Sequence, residues 1–327
     1  MRAFSCRVCG NALYFENSVC MSCGTHLAYS RPEHDIVPLG EDGTYTDADG
    51  ATWHVCANAP LSGCTWLTTE PGALCDSCAL TRTRPNDQDL EGLSQYPVAE
   101  RAKRHLLVEL DVLGLPVRRQ EAEGDGGLAF DLLSSVDENV VIGHADGVIT
   151  IDLAEGDDAH REKVRVELDE PYRTMLGHLR HEIGHYFESV LAVGADLDRV
   201  RALFGDDTKD YQAEIDRHYA EGPPADWQQD FISQYATMHP YEDFAETFAH
   251  VLHIRDTVGT AAAHGLVTVD PDAFTSFRDL VTGVWIPLSI GLNQINRSMG
   301  ENDLYPFVLP ERVLDKLELV ADLVRAA

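Results

Sequence analysis

The sequence predicts an α+β chain: metal-stapled four-cysteine modules over residues 1–85, then a mainly helical domain over residues 86–327 with a small β-sheet. Three observations lead there. All eight cysteines fall between Cys6 and Cys78, and none follows. Two later stretches, Asp169–Val193 and Met238–His253, carry apolar residues at helical spacing. One stretch, Gly147–Leu153, alternates apolar with small polar residues as a strand does.

Length and charge narrow the function classes first. A chain of 327 residues, 44% of them hydrophobic, can bury a sizeable core in about two domains. Asp and Glu number 55 against 25 Lys and Arg, a net charge of −30. Residues 1–85 hold five basic and nine acidic side chains, so the excess belongs to the larger region. A surface this acidic repels polyphosphate and disfavours nucleic-acid binding. The longest apolar candidate, Val281–Leu292, is too short to span a bilayer and is broken by Gly283, Pro287 and Gly291, so no membrane association is expected. The start, Met1 to Cys6, lacks the apolar stretch of a secretory signal, and a cytoplasmic location is expected.

In a reducing compartment, cysteine pairs two residues apart are metal ligands rather than disulfides. The first set reads Cys6-x2-Cys9, then Cys20-x2-Cys23. Gly10 and Gly24 each follow the second cysteine of a pair, where a tight turn needs positive φ. This is the pattern of a zinc-ribbon knuckle pair. The second set, Cys56-x7-Cys64 and Cys75-x2-Cys78, has a wider first spacing but the ligands for a second tetrahedral site. Zinc is expected in both sites as a structural ion, because modules this small lack core enough to be stable unaided. Iron in a rubredoxin-like site remains open, since four thiolates accept either metal. Recruitment of a protein partner is the second reading of the ribbon, with Trp53 and Trp66 as its semi-exposed aromatics. Glu41–Gly50 reads as turns and a short polar hairpin between the modules, and Thr81–Asp87 as a linker. Pro97–Leu113 then opens the second domain as a helix ended by Gly114 and Pro116.

Asp169-Glu170-Pro171 is a helix start, and Gly194 a stop. On that helix Tyr172, Leu176, Leu179, Ile183, Phe187 and Val190 share one face. His181, His185, His178 and Glu188 lie on the other, with Gly177 and Gly184 at its flanks. His181-Glu182-x-x-His185 places two imidazoles four residues apart, on one ion, with a glutamate able to reach a water held there. Hydrolysis needs a third protein ligand and an open fourth position. Glu188 faces correctly, but three ligands on one straight helix converge poorly. The metzincin extension is excluded, because it needs Gly and His where Glu188 and Leu191 stand.

Met238–His253 starts a second two-faced helix at Pro240. Glu242 and Glu246 share one face, with Ala245 and Ala249 small enough for close helix packing, while Phe244, Phe248 and Val251 take the opposite face. Glu242 is the candidate third ligand. Glu246 is the candidate acceptor that orients a metal-bound imidazole through its other N–H.

His181-Glu-x-x-His185 with Glu242-x-x-Ala-Glu246 resembles gluzincin metallopeptidases, in particular the anthrax lethal factor type. The resemblance implies that Glu242 ligates zinc and that Glu246 supports a ligand. It also implies that a tyrosine seven residues before the first glutamate, Tyr235 here, stabilises the oxyanion. The wider chain resembles a bacterial family that joins an amino-terminal zinc ribbon to a zinc-binding metallopeptidase, with echoes at Gly143–Gly147 and Pro171–His178. The 56 residues between His185 and Glu242 depart from the shorter spacing of thermolysin-like enzymes. The function expected is zinc-dependent hydrolysis of a peptide or protein substrate, with one catalytic and two structural zinc ions and Glu182 as general base. The alternative is an inactive zincin-fold binding protein whose ribbon recruits a partner. The strand at Gly147–Leu153 is the candidate edge that pairs with an extended peptide, and Phe204–Tyr235 the candidate wall or lid of the cleft.

Overall fold

In the computed structural model, residues 2–122, 124–135, 140, 142–157 and 174–327 are described. The chain divides into two compact units, Arg2–Val112 with Val117–Asp158, and Leu113–Pro116 with Ala159–Ala327.

The first unit is assembled from short antiparallel pairs around the cysteines. Strands β1 (Phe4–Ser5) and β2 (Ala12–Leu13) form one hairpin, and β3 (Leu27–Ser30) and β4 (Asp35–Pro38) another. The polar hairpin expected after Glu41 is β5 (Thr44–Thr46) and β6 (Thr52–Val55), and β6 also pairs with β7 (Leu67–Thr68). Such small sheets bury little by themselves, and an aromatic row supplies their core. Phe15, Tyr29 and Trp66 stand with ring centroids 4.9 and 5.2 Å apart. Trp66 is 1% exposed, so it is a core residue and not the semi-exposed docking aromatic expected of it, whereas Trp53 is half-buried.

Short helices α1 (Ala59–Ser62) and α2 (Asp76–Ala79) bracket the second cysteine set. The expected linker is in part a strand: β8 (Thr81–Thr83) pairs in parallel with β9 (Ala129–Leu133). Helix α3 begins earlier than expected, spanning Leu90–Val112, and runs through Pro97 at the cost of one backbone hydrogen bond. Its buried Leu106, Leu107 and Leu110 offset that loss. Strand β10 (Gly143–Ala145) pairs antiparallel with β11 (Val148–Asp152), giving the order β10-β11-β9-β8. The alternation at Gly147–Leu153 does mark a strand, but an inner one. Its two edges already bond β10 and β9, so it has no free edge for a peptide.

The second unit is helical. Helix α4 spans Met175–Leu191, with Thr174 as its cap: Thr174 Oγ1 accepts from the Gly177 N–H at 2.9 Å. The expected start at Asp169–Pro171, and Tyr172, lie outside the described residues. The helix ends before Gly194, which instead precedes α5 (Ala195–Phe204) with φ +57°. The expected two-sidedness of α4 is only partial. Val190, placed on the core stripe, is exposed, and on the opposite stripe His181, His185 and Glu188 are buried and His178 half-buried, with Glu182 buried beside them. A helix buried on both faces needs a polar neighbour. Helix α7 (Pro240–Ala263) provides it. The two cross where a Cβ on Gly184 would lie 2.9 Å from Ala245 Cα and 3.0 Å from its carbonyl oxygen, so only glycine fits there.

Between them, the expected wall segment folds partly as α6 (Tyr211–Glu221). Helices α8 (Phe277–Leu280), α9 (Ile286–Ser298) and α10 (Glu311–Ala326) complete the unit. Buried Lys316 of α10 meets Asp243 of α7 at 2.6 Å, with Nζ also donating to the Asp230 carbonyl. Among the described residues no helix is long and apolar enough to cross a membrane.

Candidate functional site

Helix pitch brings His181 and His185 to one side of α4, and the start of α7 sets the facing carboxylates. Pro240 fixes the backbone at the first helical position there, while His239 Nδ1 accepts from the Tyr241 N–H at 3.1 Å. Glu242 and Glu246 follow on the face toward α4. His181 Nε2 lies 3.1 Å from His185 Nε2 and 3.0 Å from Glu242 Oε2, and His185 Nε2 is 3.5 Å from that oxygen. A tetrahedral zinc ion with Zn–N and Zn–O near 2.0–2.1 Å sets donor–donor edges of about 3.3 Å, so the three atoms have the spacing such an ion requires. Three lone-pair donors converging in a buried place repel one another unless positive charge sits among them. Burial works against a charged His181, yet Glu242 and Glu246 outweigh it and raise its pKa well above the ordinary imidazole value. Burial likewise works against a charged Glu242, and its hydrogen bonds with His181 and His185 hold the carboxyl well below its usual range. The donor set fits a divalent cation.

The surroundings hold each donor in place. Glu246 Oε1 lies 2.8 Å from His181 Nδ1, and its other oxygen accepts from Ser233 Oγ at 2.7 Å. With the proton on Nδ1, Nε2 faces the other donors. Tyr241 stacks on the His185 ring at 3.9 Å. Tyr211 OH donates to Glu242 Oε1 at 2.6 Å. The Tyr235 ring stands edge-on to His181 with centroids 5.6 Å apart.

Glu182 is 4% exposed, and its Oε1 lies 3.2 Å from His178 Nε2. Its Oε2 is buried with no hydrogen-bond partner among the described residues. Burial opposes ionisation of Glu182, but the contact with His178 and the nearby His181 and His185 lower its pKa. Glu188, the other acid considered for the metal, is not among the converging donors. Burial, then Asp207, Glu242 and Asp243, push its carboxyl up to about 9, so it is neutral at pH 7.

The roles of His178, Tyr211, Ser233 and Tyr241 escaped the sequence reading. His178 lies one helical turn before Glu182, a signal present but not used. Tyr211 and Ser233 carry no local signal, since each reaches α7 from another part of the chain.

Both cysteine sets converge too. Sulfur atoms stand 3.7 Å apart for Cys6 and Cys23, 3.6 Å for Cys9 and Cys20, and 3.6 Å for Cys64 and Cys75. Zinc with Zn–S near 2.3 Å sets tetrahedral edges of about 3.8 Å. Gly10 and Gly24 take φ +77° and +76°, and their N–H groups return to the Cys6 and Cys20 carbonyls, as the knuckle requires. Cys9 and Cys23 are exposed, whereas Cys56, Cys64, Cys75 and Cys78 are all buried. Around the second set, the Cys75 and Asn58 N–H groups donate to Cys56 Sγ, and Asn58 Nδ2 donates to Cys78 Sγ.

A family model described as "zinc-ribbon domain" matches residues 3–89, and one described as "Putative zinc-binding metallo-peptidase" matches residues 92–323. Proteins of Mycobacterium tuberculosis and Mycobacterium bovis, each bearing the name uncharacterized protein, are 51% identical over 337 residues. The match covers 99% of this chain and 95% of theirs. No solved structure matches the chain. The imidazole and carboxylate donors thus lie within the segment matched by the larger family model, and the chain belongs to that zinc-binding metallopeptidase family, with a zinc ribbon at its amino terminus.

Proposed function

We propose that the protein is a gluzincin-like peptidase that hydrolyses peptide bonds, with His181, His185 and Glu242 holding the catalytic zinc and Glu182 as general base. The observation that carries this reading is the unpartnered Oε2 of buried, ionised Glu182 beside the three converging donors. A purely structural site has no use for such a carboxylate. Zinc, when bound, acidifies a water and polarises the scissile carbonyl. Glu182 takes the proton from the attacking water, and its contact with His178 turns Oε2 to that task. Tyr235 donates a hydrogen bond to the oxygen that gains charge as water adds to the carbonyl carbon. Glu182 then returns the proton to the leaving nitrogen as the C–N bond breaks, so the water is consumed and acid and amine are released. Glu246 keeps the Nδ1 proton of His181 in place.

The two cysteine sets hold structural zinc on this reading, residues 1–85 forming the ribbon region and 86–327 the peptidase region. Eight unpaired thiols suit a reducing, cytoplasmic compartment.

Metal analysis should find three zinc ions per chain. Glu182→Gln should lower cleavage of a mixed peptide library by about 10²–10⁴-fold while keeping all three. Equal turnover by the variant would remove Glu182 from the mechanism. A wild-type protein that holds three zinc ions yet cleaves nothing would favour the second reading, a scaffold whose ribbon binds a partner. One feature supports that reading: a cavity of about 360 Å³ in the first unit, lined by Arg31, His34, Trp53, Leu67 and Asp111 among others.

A further inference from the structure

We propose that Tyr211 is a positioning residue for Glu242, which makes helix α6 a working part of the metal site. This rests on the reading of Glu242 as a zinc ligand. The two carboxylate oxygens of Glu242 have different partners. Oε2 faces both imidazole Nε2 atoms, at 3.0 and 3.5 Å, while Oε1 accepts from Tyr211 OH at 2.6 Å. A carboxylate held this way offers one oxygen to a cation, and the phenol blocks the rotation that would offer both.

Helix α6 has little else to fix it. It contributes no buried side chain. Apart from Tyr211, its described side-chain links to the chain before α7 are His218 Nδ1 to Thr237 Oγ1 at 3.2 Å and a long ion pair of Glu214 with the adjacent Lys209 at 4.0 Å. The Tyr211 ring also stands edge-on to His239, the cap of α7, with centroids 5.3 Å apart. The long insertion between the histidines and Glu242 thus returns one phenol to the carboxylate that the insertion separates from them.

The test is Tyr211→Phe, which keeps the ring and removes the hydroxyl. Zn2+ affinity of the full chain, with its ribbon sites loaded, is read by competition with a chromophoric chelator. The dissociation constant for the third ion should rise by about 10–100-fold. Tyr219→Phe, on the exposed side of the same helix, should leave it unchanged. With Co2+ in place of that zinc, Tyr211→Phe should weaken the visible d–d absorption, since the freed carboxylate can bind through both oxygens and raise the coordination number. An unchanged dissociation constant or an unchanged Co2+ spectrum would overturn the proposal. A wild-type protein that takes up only two ions would instead overturn the three-donor reading beneath it.

Discussion

The second cysteine set and the imidazole–carboxylate site are both buried and both spaced for a tetrahedral ion, yet they are built on different principles. Cys56, Cys64, Cys75 and Cys78 come from 23 consecutive positions, all four are buried, and backbone and Asn58 N–H groups donate to the Cys56 and Cys78 sulfurs. Four thiolates fill the coordination sphere and leave no corner for a reactant. The other site draws three donors from two helices, with His181 and Glu242 standing 61 residues apart in the chain, and a carboxylate oxygen near them that nothing in the described structure satisfies. On the proposed reading, the filled site holds the fold, and the site with the unpartnered carboxylate oxygen is the one that meets a reactant. The tight crossing at Gly184 and Ala245 sets how closely the two donor-bearing helices approach.

The largest expected effect strikes the filled site. Cys75→Ser should remove one zinc and abolish the near-UV circular dichroism of the Tyr29–Trp66 row, because a structural zinc ion is worth about 10–16 kcal/mol in small zinc-dependent folds. A variant that keeps that signal would break the contrast. Next in size, Tyr235→Phe should lower peptide turnover by about 10²–10³-fold, the usual loss of one oxyanion donor, with zinc content unchanged. A wild-type rate would take the tyrosine out of that role. The smallest effect is on the helix crossing. Gly184→Ala brings a Cβ within 2.9 Å of backbone on Ala245, and should destabilise the fold by about 1–3 kcal/mol. A thermal denaturation midpoint equal to that of the parent would show that α4 and α7 adjust freely, and that the crossing is not what spaces the donors.

Features encoded within a few residues of chain were legible in advance. The cysteine knuckles follow from Cys-x2-Cys and a glycine at positive φ, and the facing imidazoles from a four-residue spacing on a 3.6-residue helix. Pro240 marked the start of α7, as its missing N–H allows. Features that depend on a distant neighbour were not. Alternation at Val148–Asp152 reads the same for an inner strand as for an edge strand, and only the presence of β9 and β10 decides. Trp66 reads as an exposed aromatic until Tyr29 covers it. Helical periodicity gave α4 one dry face and one wet face, but α7 buries the second.

The sequence by itself determined which atoms are available to bind metal: eight sulfurs in two clusters, two imidazoles one turn apart, and two acids on a second amphipathic helix. These are matters of spacing along one local backbone geometry. The sequence also favoured Glu242 over Glu188, but only the tertiary structure brings the Glu242 carboxylate to within 3.5 Å of both imidazoles and sets Tyr211 against its outer oxygen. The reason is that a helix can present donors along one face but cannot bring them round a point, and closing the set takes a second helix at a distance set by packing.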